Sequence, residues 1–376
     1  MLRRFLPKLG ERQVHLFPVA LVCSLLLFMT GGLSSFMPLG EAISHAFIMG
    51  TYPAEEADVL AAERAYCEME KELEDELDHY EARHPGCDEY NVKAQEIWHD
   101  PYALCAIISA YLGGEEWTID SAYPVMERYF KLQYVLTERI TTETRYRTEQ
   151  RVGQQLVTDH KTGAQRWESY TYEVEVPYTY RICDVKLENK NLSHQPVYSM
   201  SREKMGLYAL YMSTLGNMPD LFAGKPHASQ LKDPLLYDVP EEYKQADPQF
   251  GKLIEEAEKY LGFPYVWGGA SPDTSFDCSG FVSYVFTNGG VYNTGRLGAT
   301  GLYGICQKIT ADEARPGDLI FFEGTMGEDV GGITHVGLYV GDNMMIHCGN
   351  PITYADLTRS YWQQHFYGFG RIPYDP

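Results

Sequence analysis

At 376 residues, with 44% hydrophobic and 22% charged residues, the chain is long enough for two domains with proper cores plus accessory segments. A formal net charge of -21 excludes the basic face that nucleic-acid binding needs, and argues against attraction to an anionic membrane or wall polymer. Eight scattered cysteines without a C-x-x-C pair exclude a zinc ribbon and argue against a disulfide framework, with Cys67–Cys87 the one pairing left open.

Residues 1–15 carry Arg3, Arg4, Lys8 and Arg12 against Glu11, and read as a cytoplasmic basic tail. From Leu16 to Leu39 no residue is charged, which is enough chain to cross a bilayer core of about 30 Å. The basic flank predicts a single-pass anchor at the cell membrane with the remainder extracytoplasmic. The rival is a cleaved signal peptide and a secreted chain, since Gly31-Gly32-Leu33-Ser34-Ser35 offers small residues near a cleavage point.

Residues 40–90 form an acidic helical spacer. Fourteen acids crowd residues 54–90, and Val59, Ala62, Tyr66, Met69, Leu73 and Leu77 recur at helical intervals over 54–83 before Pro85-Gly86. Residues 91–222 read as a small α+β accessory domain. Helices are expected over Pro101–Leu112, Ser121–Arg139 and Ser201–Leu215. Between the last two, Tyr170 to Ile182 alternates apolar with polar, and Thr141 to Val152 is its β-prone partner across an Asp159–Gly163 turn. Arginines on one strand and glutamates on the other suit cross-strand pairing. His160, His194 and His227 are isolated and read as surface residues. Residues 223–248, with Pro226, Pro234, Pro240 and Pro248, read as a stiff linker, leaving 249–376 as the last domain.

That domain carries the chemistry. The turn-rich run from Phe263 leads into Asp277-Cys278-Ser279-Gly280, and Phe281, Val282, Val285 and Phe286 then mark one face of a helix that ends at Asn288-Gly289-Gly290. Cys278 sits in its first turn, where unpaired N–H groups and the helix dipole favour a thiolate, so a lowered pKa is expected. Further on, Leu319–Phe322 follows the Arg315-Pro316-Gly317-Asp318 turn as a buried strand, and Thr334–Val340 and Met344–Cys348 form a hairpin about Gly341-Asp342-Asn343. In that hairpin His335 and His347 are diagonal neighbours on one face. Cysteine nucleophile, first imidazole as base and second as orienter make a catalytic set.

Residues about 250–374 resemble the NlpC-type cell-wall peptidases, papain-like endopeptidases of bacterial peptidoglycan. The resemblance rests on Tyr265-Val-Trp-Gly-Gly, Asp277-Cys-Ser-Gly, Pro316-Gly-Asp-Leu, His335-Val-Gly-Leu-Tyr and Ile346-His, in the family's order. It implies a helix against an antiparallel sheet, no metal and no cofactor, with Cys278 as nucleophile, His335 as general base and His347 as third residue. It also implies that Tyr265, Asp277 and Ser279 line the cleft, the last two holding the free amino end of the stem peptide in relatives that cut γ-D-glutamyl–diamino acid bonds. Cys348 stands where the family has a small residue.

Trp267 reads as a packing aromatic, Cys306 and Cys348 as buried thiols and His365 as core. The whole chain also resembles the membrane-anchored wall hydrolases of Gram-positive conjugative elements. That likeness rests on Asp100-Pro-Tyr-Ala-Leu and on the strand ending Pro177-Tyr-Thr-Tyr-Arg-Ile-Cys183, and implies conjugation or secretion machinery as a partner of residues 91–222. Two alternatives stand beside a stem-peptide endopeptidase: an N-acetylmuramoyl-L-alanine amidase, and an inactive wall-binding scaffold of a secretion apparatus.

Overall fold

The computed structural model describes residues 49–326 and 331–373. The expected membrane span at 16–39 lies outside them, and among the described residues no helix is long and apolar enough to cross a membrane. The chain divides into two compact units, one of residues up to Tyr66, His99–Leu132 and Asn191 onward, the other of Cys67–Trp98 and Gln133–Lys190. The division therefore does not fall at residue 248: only the hairpin region separates, while residues 191–248 pack in the same unit as the C-terminal fold.

The hairpin unit is built on α1 (Glu56–Asp78), whose C-terminal part belongs to it, with β1 (Glu89–Ala94), β2 (Tyr134–Thr158) and β3 (Gln165–Asn189). β2 and β3 pair antiparallel over 25 residues each, a ribbon of about 80 Å. β1 adds in parallel along Ile182–Leu187 of β3. Where β3 meets the helical segment, Cys183 and Val185 are buried with Tyr80, whose hydroxyl donates to Glu138 at 2.6 Å. Two expectations change here. The helix begun near residue 121 stops at Gln133 rather than Arg139, because Tyr134–Ile140 pair with Cys183–Asn189, and ladder bonds outweigh a local helical pattern. The arginines do not face glutamates either: the register sets Arg145 opposite Tyr178, and its guanidinium lies 3.3 Å from the Tyr180 ring centre. The face of β3 opposite the arginines carries tyrosines and valines, so a cation–π contact forms across the strands, while Arg145 and Arg147 ion-pair with Glu143 and Glu149 on their own strand.

In the other unit α2 (Pro101–Tyr111) is capped by Asp100, which accepts from Tyr102 N at 3.0 Å, and nearly every side chain of α2 is buried. It packs with α4 (Arg202–Thr214) and, through Tyr102, with residues 218–222; α3 (Ile119–Gln133) precedes β2. The segment read as a linker is docked rather than free. Leu235 N donates to Thr353 Oγ1 at 2.7 Å, and the Tyr237 and Tyr243 hydroxyls each donate to Asp342 at 2.9 Å.

The C-terminal core follows as α5 (Pro248–Glu258), α6 (Cys278–Asn288), α7 (Ala299–Ile305), β4 (Gln307–Ile309), β5 (Leu319–Glu323), β6 (Ile333–Gly341), β7 (Met344–Cys348), β8 (Ile352–Asp356) and β9 (Phe366–Arg371). The strands form one antiparallel sheet in the order β8-β7-β6-β5-β9-β4. α6 lies on one face, burying Phe281, Val282, Val285 and Phe286 against Val336, Leu338 and Ile346, which gives the expected helix against an antiparallel sheet. Asp318 is buried and takes a two-pronged bond from Arg371, at 2.7 and 2.8 Å, so the Pro-Gly-Asp turn is fastened to β9.

Candidate active site

The start of α6 is fixed by a close approach of backbone. Asp277 is its N-cap, with Oδ1 accepting from Gly280 N at 2.6 Å and from Ser279 Oγ at 2.9 Å, and Oδ2 accepting from Gly268 N at 3.1 Å. A Cβ on Gly280 would lie 2.1 Å from Gly269 O, and one on Gly269 would lie 2.6 Å from Ser275 O. Both motif glycines are therefore demanded by space. Cys278 is thereby held against β6: Sγ is 4.0 Å from Thr334 O, and its neighbours are residues flanking His335.

The β6–β7 hairpin brings the two imidazoles together. Asp342 and Asn343 both take left-handed backbone in the tight turn, and the register pairs Leu338 with Ile346. His335 Nε2 and His347 Nδ1 lie 2.9 Å apart in a hydrogen bond, with rings nearly perpendicular. That bond leaves His335 Nδ1 available. Trp362 packs on both rings, its centre 5.8 Å from His335 and 5.0 Å from His347, a role its place in an aromatic run did not disclose. His365 is at the rim rather than in the core, with Nδ1 2.8 Å from Glu323 O.

These side chains meet a cleft of about 410 Å³ with Tyr265, Trp267, His335, His347 and Trp362 on its walls. Cys278 does not reach its surface, being only 6% exposed, and among the described residues no hydrogen bond joins its thiol to either imidazole. Such bonds commonly tighten only when substrate binds. Asp277 and Ser279 do not line the cleft. Arg296 donates to Ser279 Oγ at 3.0 Å and pairs with Asp277 Oδ2, so the carboxylate is fully engaged within the protein. Cys348 fills its place as a small buried thiol whose Sγ donates to Phe276 O at 3.2 Å. No disulfide joins Cys67 to Cys87.

The resting ionisation differs from the expectation of a thiolate. Burial, then the neighbouring Asp277 charge, pushes the Cys278 thiol up to about 12, and the N–H groups of Val336 and Ser279 offset only part of this. Burial pulls His335 down to about 4, and burial followed by His335 holds His347 well below the usual imidazole value. The helix dipole is real, but desolvation outweighs it at this depth. These shifts favour a neutral thiol beside neutral imidazoles in the free site.

Residues 262–371 match the NlpC/P60 family. Over 121 residues the chain is 45% identical to the bifunctional muramidase/DL-endopeptidase CwlT of Bacillus subtilis, covering 32% of this chain and 36% of that one. Over 122 residues it is 46% identical to the probable endopeptidase p60 of Listeria seeligeri, covering 32% of this chain and 22% of that protein. The chain thus spans about a third or less of these relatives. A crystal structure of an NLP/P60-family protein similar to a lipoprotein, from Staphylococcus aureus, aligns with 30% identity and a TM-score of 0.33 over 48% of this chain and 65% of that one.

Proposed function

From the premise that residues 262–371 are an NlpC/P60 domain, we propose that this chain is a peptidoglycan hydrolase, a cysteine endopeptidase that cuts stem peptides at the γ-D-glutamyl–diamino acid bond. The observation that carries it is the His335–His347 bond of 2.9 Å on the wall of a cleft, with Cys278 held against residues 334–336. For His335 Nδ1 to accept the thiol proton, its Nε2 must carry hydrogen and donate to His347 Nδ1, so His347 selects the tautomer.

Attack of the sulfur on the peptide carbonyl puts negative charge on its oxygen beside the unpaired N–H groups that open α6. His335, now an imidazolium, returns the proton to the leaving amine. Water, deprotonated by His335, then releases the acyl group and restores the thiol. The name of the Bacillus relative, a DL-endopeptidase, supports the choice of bond. Asp277 and Ser279, engaged with Arg296, serve to build the loop and helix start, which leaves Tyr265 as the cleft residue among the three.

Anchoring by residues 16–39, with the enzyme outside the cell, rests on the uncharged span and its basic flank. A role in opening the wall for conjugative transfer rests on the whole-chain resemblance. The test is mass spectrometry of purified muropeptides treated with the full chain in detergent and with its Cys278→Ala variant. Products split after D-glutamate by the parent alone support the proposal. Separation of the sugar from L-alanine would make it an amidase, and equal products from both chains would remove the enzymatic reading.

A further inference from the structure

The cleft is not completed by residues 262–371 alone. Asp100, Ser193, His194 and Tyr208, which lie outside the family match, form part of its wall. This part is fastened to the Tyr265–Gly269 loop. The His194 ring stacks on Trp267 with centres 4.1 Å apart and planes 16° from parallel, and Trp267 Nε1 donates to Tyr198 Oη at 3.2 Å. Val197 packs so closely on Gly268 that a Cβ there would come within 2.4 Å of it, and Arg202 bridges Asp273 at 2.5 Å. Asn191 Oδ1 sets the turn by accepting from Ser193 N at 3.1 Å and Ser193 Oγ at 2.8 Å.

His194 is therefore a half-buried residue of the cleft and not the isolated surface histidine that its sequence position suggests. Burial alone pulls its pKa down to about 4, so the ring is neutral. Among the described residues neither ring nitrogen has a hydrogen-bond partner, although the wall as a whole is well fastened. Neither nitrogen is a buried, unpaired atom, so both stay accessible to a ligand in the cleft. Nearby charge is spent: Asp100 caps α2 and holds Ser229 through N at 3.1 Å and Oγ at 2.5 Å. A neutral ring with one donor and one acceptor, among uncharged neighbours, suits an uncharged group.

We propose that His194 is a substrate-recognition residue supplied from outside the peptidase fold, its ring, stacked on Trp267 at the cleft, hydrogen-bonding an uncharged amide of the peptidoglycan stem peptide. The inference rests on the reading of this site as a stem-peptide hydrolase. It makes residues 191–229 part of the binding site and the C-terminal domain by itself an incomplete one.

The test uses the full chain carrying Cys278→Ala, titrated calorimetrically with purified disaccharide-tetrapeptide muropeptide, so that affinity is read without turnover. His194→Phe in the same background keeps an aromatic ring over Trp267 and removes both nitrogens. Affinity should fall about tenfold, the worth of one hydrogen bond, with near-ultraviolet circular dichroism unchanged. His194→Gln, which restores a donor and an acceptor, should recover part of the loss. Equal affinity of the Phe variant and its parent would overturn the proposal, as would a loss that Gln fails to recover in any part. Failure of the active chain to hydrolyse muropeptide, with this binding pattern intact, would instead count against the catalytic reading alone.

Discussion

Gly280→Ala sets two effects of opposite sign against each other at the head of α6. Helix propensity alone favours alanine over glycine by about 1 kcal/mol, so local structure by itself predicts a more stable protein. The added Cβ, however, would sit 2.1 Å from Gly269 O, with Ala270 Cα at 3.1 Å and Asp277 Oδ1 at 3.2 Å. Ordinary carbon–oxygen contact needs about 1 Å more. The carbonyl cannot withdraw freely, because it accepts from Asp277 N at 2.9 Å, and Gly269 N is itself bonded to Val266 O at 2.9 Å. Retreat of the helix would give up the capping bond at Gly280 N and displace Cys278. Overpacking of this kind costs about 1–3 kcal/mol, and a buried hydrogen bond about 1 kcal/mol more, which together outweigh the propensity gain. The expected net loss is about 1–3 kcal/mol, with a fall in kcat/KM on muropeptides of roughly 100-fold, the cost of misplacing a reacting group by about 1 Å. Urea denaturation followed by circular dichroism and steady-state hydrolysis read the two quantities. A higher urea midpoint with unchanged kcat/KM would refute the close approach on which the site's geometry depends.

Three further outcomes are expected. With its thiol pushed up to about 12, Cys278 should react with iodoacetamide more slowly at pH 7 than the exposed Cys67, with a rate rising about tenfold per pH unit from 7 to 9; a plateau below pH 8 would mean a preformed thiolate. His347→Ala removes the acceptor 2.9 Å from His335 Nε2, and kcat should fall roughly 10²–10⁴-fold with KM little changed, a split that matched losses in both constants would contradict. His335 and His194, both pulled down to about 4, take up protons in the unfolded chain first as pH falls through about 6.5. Stability should therefore be full above pH 6.5 and lost progressively toward pH 4, by up to about 1.4 kcal/mol per pH unit for each histidine; flat urea midpoints between pH 7 and 5 would show that the rings are not buried neutral.

Much of the C-terminal core was legible because its motifs are local. Asp277-Cys-Ser-Gly begins a helix whose apolar face repeats with the helical period, and the Gly341-Asp342-Asn343 turn fixes which residues of β6 and β7 share a face. The hairpin ribbon was legible for the same reason, since alternation along Tyr170–Ile182 survives in any setting. β8 and β9 carried too little periodicity to be recognised and take their form from the strands beside them. The end of α3, the docking of residues 235–243 on the core and the arginine–tyrosine face of the ribbon were decided by pairing between distant segments.

The sequence by itself determined which atoms could react: one sulfur at a helix start and two ring nitrogens a hairpin apart, because those placements follow from backbone periods of about 3.6 and 2 residues. Only the tertiary structure decided in what state they wait and what surrounds them. Ionisation depends on burial, so the thiol that the helix dipole alone would ionise rests protonated beneath β6. A wall of the cleft is likewise a matter of contact between residues far apart in the chain, and no spacing in the sequence brings His194 to Trp267.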